Sequence, residues 1–161
     1  MSVRATKTLI GFVLQDVADT DKTMNYQSTV DLSENAILKI LRVEVEIPSS
    51  FLLSAANSVD WYIRMQFHQS KTDPGGGLSD GNVITYIDWT MRGTAASTTD
   101  NQVSSATKSW EPPPGANVYI SQDFFTVTMK SSGTGQQNIG RFRIWVEKIA
   151  VPALDKVALN I

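Results

Sequence analysis

Apolar and polar side chains alternate with a period of two along five stretches of this chain. That spacing lets an extended strand place one face on a core and the other in water. Trp61, Ile63, Met65 and Phe67 fall on one side of the first, and Asp60, Tyr62, Arg64 and Gln66 on the other. In the second, Leu41, Val43, Val45 and Ile47 face inward opposite Arg42, Glu44 and Glu46, and Pro48 closes the ladder because it has no N–H to donate. Val83, Ile87, Trp89 and Met91 stand against Tyr86, Asp88 and Arg92. Phe125, Val127 and Met129 stand against Thr126, Thr128 and Lys130. The last places Phe142, Ile144 and Val146 opposite Arg141, Arg143 and Glu147, with Trp145 on the polar side. Residues 7–14, 25–30 and 118–121 read as three further strands. The pattern predicts an all-β, two-sheet antiparallel sandwich of about eight strands over residues 1–161, with a jelly-roll connection favoured among the Greek-key arrangements. Helix is expected only locally, at residues 49–56, where Ser49 or Ser50 could cap Phe51, Leu52 and Leu53.

The connections are too long for a simple meander. Residues 71–81 hold Asp-Pro-Gly-Gly-Gly and then Ser-Asp-Gly-Asn, a link whose glycines permit sharp turns. Residues 94–114 form a longer polar link ending in Trp110 and the triple proline Pro112, Pro113 and Pro114. Links longer than about 12 to 15 residues in a compact domain are usually functional or disordered. The tail, residues 152–161, keeps Leu154, Val157, Leu159 and Ile161, too much apolar surface to leave in water, so it is expected to pack on its own sandwich or on a neighbour.

Composition narrows what such a sandwich can do. The chain has 161 residues, no cysteine, 19% charged residues and a formal net charge of −2. Disulfides and thiolate metal sites are thereby excluded, and the near-neutral surface has no electrostatic pull towards nucleic acid. The gaps between strands are rich in Ser, Thr, Asn, Gln and Gly. Hydroxyls and amides cost less to desolvate than charges, which suits surfaces that other copies will cover. Arg4 and Lys7 precede an apolar stretch, residues 9–14, that is short and broken by Gly11, so neither a secretion signal nor a membrane span is expected.

Candidate chemistry is sparse. His68 is the only histidine, and it falls on the polar register with Arg64 and Gln66; a surface or loop-anchoring role is expected rather than that of a catalytic base. Asp60, Asp88, Glu44 and Glu46 could act as paired carboxylates, but Arg42, Arg64 and Arg92 lie on matching faces, so cross-strand ion pairs are the expectation. Asp16, Asp19 and Asp21, and separately Asp73, Asp80 and Asn82, offer oxygen ligands that could hold calcium, although turn-forming aspartates explain both groups. Gly75, Gly76 and Gly77 lack the following helix that a phosphate loop needs. Of the four tryptophans, Trp61 and Trp89 belong to core registers, which leaves Trp110 and Trp145 as an aromatic platform on which a sugar ring could stack. No catalytic residue, cofactor or metal is assigned.

About eight short strands, long polar links at irregular spacing and a neutral polar surface together resemble the small single jelly-roll capsid proteins of tailless icosahedral viruses of bacteria and archaea. The resemblance spans residues 7–151 and is one of architecture, without a diagnostic motif. It implies a structural virion protein, present in the virion and assembled in the host cytoplasm, whose partners are other copies of itself and other virion proteins. The assembly contacts it implies are Trp110, Pro112, Pro113 and Pro114 together with Leu154, Val157 and Leu159, since a proline-stiffened segment loses little entropy on docking. Coat proteins that package a genome directly often carry a long basic arm; this chain has only Arg4 and Lys7, so direct nucleic-acid binding is not expected, and a basic protein or an internal membrane would take that role. A carbohydrate-binding sandwich is the alternative, followed by a fibre, pilus or surface-layer subunit built from strand edges.

Overall fold

The computed structural model describes residues 6–28, 35–47, 61–69, 83–91 and 106–152, and of Trp61, Thr90, Met91 and Ala106 the backbone only. The expected helix at 49–56, the link 71–81, the first part of the link 94–114 and the tail from residue 153 lie outside the described residues. Nine strands occur among those described: β1 (Thr6–Leu14), β2 (Lys22–Gln27), β3 (Ala36–Ile47), β4 (Trp61–His68), β5 (Val83–Met91), β6 (Ala106–Trp110), β7 (Tyr119–Ile120), β8 (Phe124–Ser132) and β9 (Ile139–Ala150).

They form two antiparallel sheets. One runs β1-β9-β3-β6, with β7 also on β3, and the other runs β2-β8-β4-β5. Strands β6 and β7 lie on the same edge of β3, in the same direction, so they act as one interrupted strand. Counted so, the first and last strands pair, the second pairs with the last but one, and the chain crosses repeatedly between two four-stranded layers. This is the jelly-roll connection the sequence predicted.

Two expectations need correction in β3 and β6. Leu41 was expected inward, but it is 36% exposed, while Leu38, Ile40, Val43, Val45 and Ile47 are completely buried. The register against β9 shifts between Ile40 and Arg42, so Leu41 is the extra residue of a bulge that moves the inward face from even to odd positions. Residues 106–110, expected in a link, form a strand. Ala-Thr-Lys-Ser-Trp lacks apolar alternation because β6 is a sheet edge with Thr107, Lys108 and Ser109 exposed.

The core lies between the layers. Phe142 of β9 meets Tyr26, Phe67 and Phe125 edge-on, with ring centroids 5.0, 5.5 and 6.0 Å away. One ring from the first sheet is thus held by three from the second, the geometry that aromatic quadrupoles favour. Two glycines make this approach possible. A side chain at Gly11 would meet the Phe142 ring at 2.5 Å and the Tyr26 ring at 2.8 Å, and one at Gly140 would meet the Met65 sulfur at 2.1 Å. These neighbouring inward positions of β1 and β9 hold no side chain so that large ones opposite can fill the space.

Candidate assembly surfaces

The interruption between β6 and β7 is the largest departure from a regular sandwich. Val43 pairs with Trp110 and Leu38 with Ile120, five steps along β3 against ten along its partner, so five residues are thrown out of the ladder. Pro112, Pro113 and Pro114 occupy this excursion, as they must, since none can donate to a sheet. Its turn closes with the Ala116 amide donating to the Pro113 carbonyl at 2.9 Å, and Gly115 sits in the left-handed region at φ +81°. The chain rejoins the sheet where the Ile40 amide donates to the Val118 carbonyl at 2.8 Å. The bulge at Leu41 lies directly opposite. Lys39, Leu41 and the three prolines line an open trough of about 360 Å³. Trp110 is not a loop residue, as expected, but the last residue of β6, half-buried against the core. The structure therefore brings Trp110 and the three prolines together on one edge. Leu154, Val157 and Leu159 lie outside the described residues.

A second surface was missed in the sequence. Along β1, Leu9, Gly11 and Val13 point inward, which turns Ile10, Phe12 and Leu14 outward; Ile10 is 68% and Phe12 55% exposed, and Val17 beyond the strand is exposed too. The signal was present: residues 9–14 are apolar at every position except Gly11, so an edge strand made from them must turn an apolar face to the outside. The edge itself is partly closed, because the Tyr26 hydroxyl donates to the Phe12 carbonyl. Burial raises the Tyr26 pKa, against the opposing effect of that bond.

Beside this apolar row the outer face of the same sheet carries charge. Ile10 and Phe12 are in register with Arg143 and Arg141 of β9, and Arg141 and Arg143 in turn with Glu46 and Glu44 of β3. Arg141 lies 3.9 Å from Glu46, and Arg42 lies 3.0 Å from Glu44. Trp145 is not open as a platform: it is half-buried, with the Arg42 and Arg143 guanidiniums 5.3 and 5.5 Å from its ring centre. The expected cross-strand pairing is observed at Arg64 and Asp88, whose two bonds measure 2.7 and 3.0 Å; Arg42 and Glu44 pair within β3 instead, and Asp60 and Arg92 lie outside the described residues.

One end of the sandwich is tied by a polar cluster. Gln15, 1% exposed, accepts from the Asn138 amide at 3.0 Å and from its side chain at 2.9 Å, and donates to Ser131 at 2.9 Å. Asp19, at φ 53°, accepts from the Thr134 hydroxyl and amide at 2.6 and 3.0 Å, the Gly135 amide at 2.8 Å and Ser131 at 3.2 Å. Burial alone would raise its pKa, but these donors outweigh burial and hold it below the ordinary aspartate value. Asp16 pairs with Lys22 at 2.5 Å and Asp21 with Lys130 at 3.4 Å. The three aspartates thus serve a turn, as the simpler expectation had it, and no group of metal-ligating side chains occurs among the described residues. Asp73, Asp80 and Asn82 lie outside them.

His68 also departs from expectation. It is 1% exposed, as are its register neighbours Gln66 and Thr126 at similarly low values, and the strand register shifts between Phe67 and His68. Alternation told which face His68 occupies; it could not tell that this part of the face is shielded from solvent.

No family model matches the chain, and no curated protein matches it either. Solved structures do. The chain is similar to VP1 of the Trichodysplasia spinulosa-associated polyomavirus in complex with GM1 oligosaccharide, at 10% identity over 92% of this chain and 96% of that one, with a TM-score of 0.54. A second structure of that VP1, with sialylated precision glycooligomers, aligns over 94% and 97% at 9% identity and a TM-score of 0.52. VP1 of Human Polyomavirus 12 in complex with 3'-sialyllactosamine aligns over 91% and 99% at 11% identity and a TM-score of 0.50. The shared feature is the jelly-roll fold. At such identity the likeness concerns the fold alone, and its source is polyomaviruses rather than the bacterial and archaeal viruses named above.

Proposed function

We propose that this chain is a self-assembling coat subunit of a virion. The observation that carries the reading is the jelly-roll strand order, β1-β9-β3-β6 over β2-β8-β4-β5, and a fold likeness to a coat protein that covers 92% of this chain and 96% of that one supports it. Two surfaces support it. The apolar row Ile10, Phe12, Leu14 and Val17 is the kind of exposed patch that an isolated soluble protein seldom keeps. The excursion from Trp110 through Pro112, Pro113 and Pro114 presents a stiff, exposed ridge on the opposite edge of the same sheet. In this reading one edge of a subunit meets its neighbour through the β1 row and the other through the proline ridge, and the tail residues Leu154, Val157 and Leu159 reach a neighbouring copy.

The finer expectations belong to the same proposal. The subunit resides in the virion after assembly in the host cytoplasm, alongside other virion proteins. With a net charge of −2 it leaves condensation of the genome to a basic protein or an internal membrane.

The test is a pair of surface variants. Ile10→Ser with Phe12→Ser removes roughly 200 Å² of apolar surface, about 5 kcal/mol per fully covered contact at 25 cal/mol/Å². Size-exclusion chromatography and negative-stain microscopy should show large assemblies for the wild type and small species for this variant, with an unchanged β-sheet circular dichroism spectrum. Assemblies that survive both this variant and a Pro112→Ser, Pro113→Ser, Pro114→Ser variant would overturn the assignment of contacts.

A further inference from the structure

We propose that the outer face of the β2-β8-β4-β5 sheet carries a binding site for a neutral pyranose sugar, built on Tyr62, Arg64, Asp88 and Lys130. The site lies on the opposite sheet from the assembly surfaces, and the inference stands whether or not the coat reading holds.

Lys130, Arg64 and Asp88 are cross-strand neighbours in one row, since Arg64 is in register with Lys130 of β8 on one side and Asp88 of β5 on the other. Tyr62 stands on the same face two residues earlier in β4 and is 39% exposed. Together, among the described residues, they line a pocket of about 220 Å³. Arg64 is fixed from two directions: Nε and Nη2 donate to the two Asp88 oxygens at 2.7 and 3.0 Å, and the guanidinium lies 4.4 Å from the centre of the Tyr86 ring. The Asp88 bonds, before any other influence, raise the Arg64 pKa, so its charge is permanent. A group held in this way loses little entropy when a ligand arrives. The fork with Asp88 uses Nε and Nη2, so Nη1 keeps N–H groups that a ligand could take, and the Lys130 ammonium, 3.4 Å from Asp21, has further N–H groups to offer.

The donor set selects the ligand. Lys130 and Arg64 carry two positive charges, and Asp88 with the neighbouring Asp21 carries two negative, so an anion gains no net attraction. An apolar ligand would cover charged groups without satisfying them, which is costly. A sugar hydroxyl both donates and accepts. Adjacent hydroxyls can give a hydrogen bond to Asp88 and take one from Arg64 or Lys130, while the C–H face of the ring rests on the Tyr62 ring. The pocket is smaller than the roughly 300–1,000 Å³ usual for drug-sized ligands, which suits one ring rather than a chain. The tryptophans singled out in the sequence do not compete for this role, because Trp110 packs on the core and Trp145 is stacked by two arginines.

The experiment is saturation-transfer NMR and calorimetric titration of the full chain with the methyl pyranosides of glucose, galactose and mannose, and with methyl N-acetylneuraminate as the acidic arm. At least one neutral pyranoside should saturate with a Kd of about 1–10 mM. Tyr62→Ala, an exposed substitution that leaves the fold intact, should weaken it at least about tenfold, and Asp88→Asn similarly, whereas Ser109→Ala on the other sheet should change nothing. Absence of saturable binding by every neutral probe, binding that survives Tyr62→Ala, or a preference for the acidic probe would each overturn the proposal.

Discussion

The glycine at position 11 is the most sensitive single point in the packing described above. Gly11→Ala places a methyl group 2.5 and 2.9 Å from two atoms of the Phe142 ring and 2.8 Å from the Tyr26 ring. Phe142 cannot simply retreat, because Phe67 and Phe125 hold it from the other sheet. Overpacking of this kind costs about 1–3 kcal/mol. Contacts this short against held rings place the cost at the upper end, about 2–3 kcal/mol, and alanine's better backbone entropy offsets roughly 0.5–1 kcal/mol of that, so the expected net loss is about 1–2 kcal/mol. For a chain of this size that lowers Tm by about 3–6 °C. Thermal unfolding followed by circular dichroism measures it, and near-ultraviolet ellipticity reports the displaced rings. The interaction is checked by a double-mutant cycle: Phe142→Leu destabilises on its own, but Gly11→Ala should cost clearly less in its presence, because of the two rings it collides with only Tyr26 then remains. A fully additive cycle, or a Gly11→Ala protein as stable as the wild type, would refute the claim that these rings are packed against a bare backbone.

Other expectations can be checked by the same unfolding assay. Asp19 has a lowered pKa in the folded chain. Its contribution is therefore complete above the unfolded value near 3.8 and fades as pH falls towards the folded value. Asp19→Asn should cost about 1–2 kcal/mol at pH 7, discounted for partial exposure, and should flatten the acid limb of the stability profile. Gln15→Ala removes the acceptor of two hydrogen bonds that Asn138 donates in a buried setting and should cost about 2–3 kcal/mol. The bulge in β3 predicts a contrast between neighbours: Ile40→Ala should cost about 2–5 kcal/mol, and Leu41→Ala no more than about 0.5 kcal/mol. Equal losses at the two positions would contradict the bulge, and a larger loss at Leu41 would mean that it, not Ile40, faces the core.

Most of the fold was legible because strand alternation is a local property. Ile63, Met65 and Phe67, or Val43, Val45 and Ile47, announce their buried face by spacing alone, and all are completely buried. What escaped was set by partners far away in sequence. Leu41 changed faces because β3 must bulge where β6 leaves it and β7 takes over. Strand β6 was invisible because an edge strand with three exposed residues needs no apolar alternation; its existence follows from β3 having an edge to fill. Burial of Gln66 and His68 depends on what covers the outer face, which no period records. Of the candidate contacts, Trp110 was read as a loop residue and closes β6 instead, while the three prolines beside it in sequence stay out of the ladder, as proline chemistry requires. The β1 row was overlooked even though residues 9–14 are apolar on both registers. The pocket at Tyr62 could not be read at all, because Lys130, Arg64 and Asp88 meet only through the pairing of three strands.

A coat subunit must bind copies of itself, and sedimentation velocity of the purified full chain over a range of concentrations reads that property out. The proposed assembly should appear as a concentration-dependent shift from the 17.7 kDa chain to discrete, closed species many subunits in size. A single boundary of one chain's mass at every concentration and salt condition would contradict it.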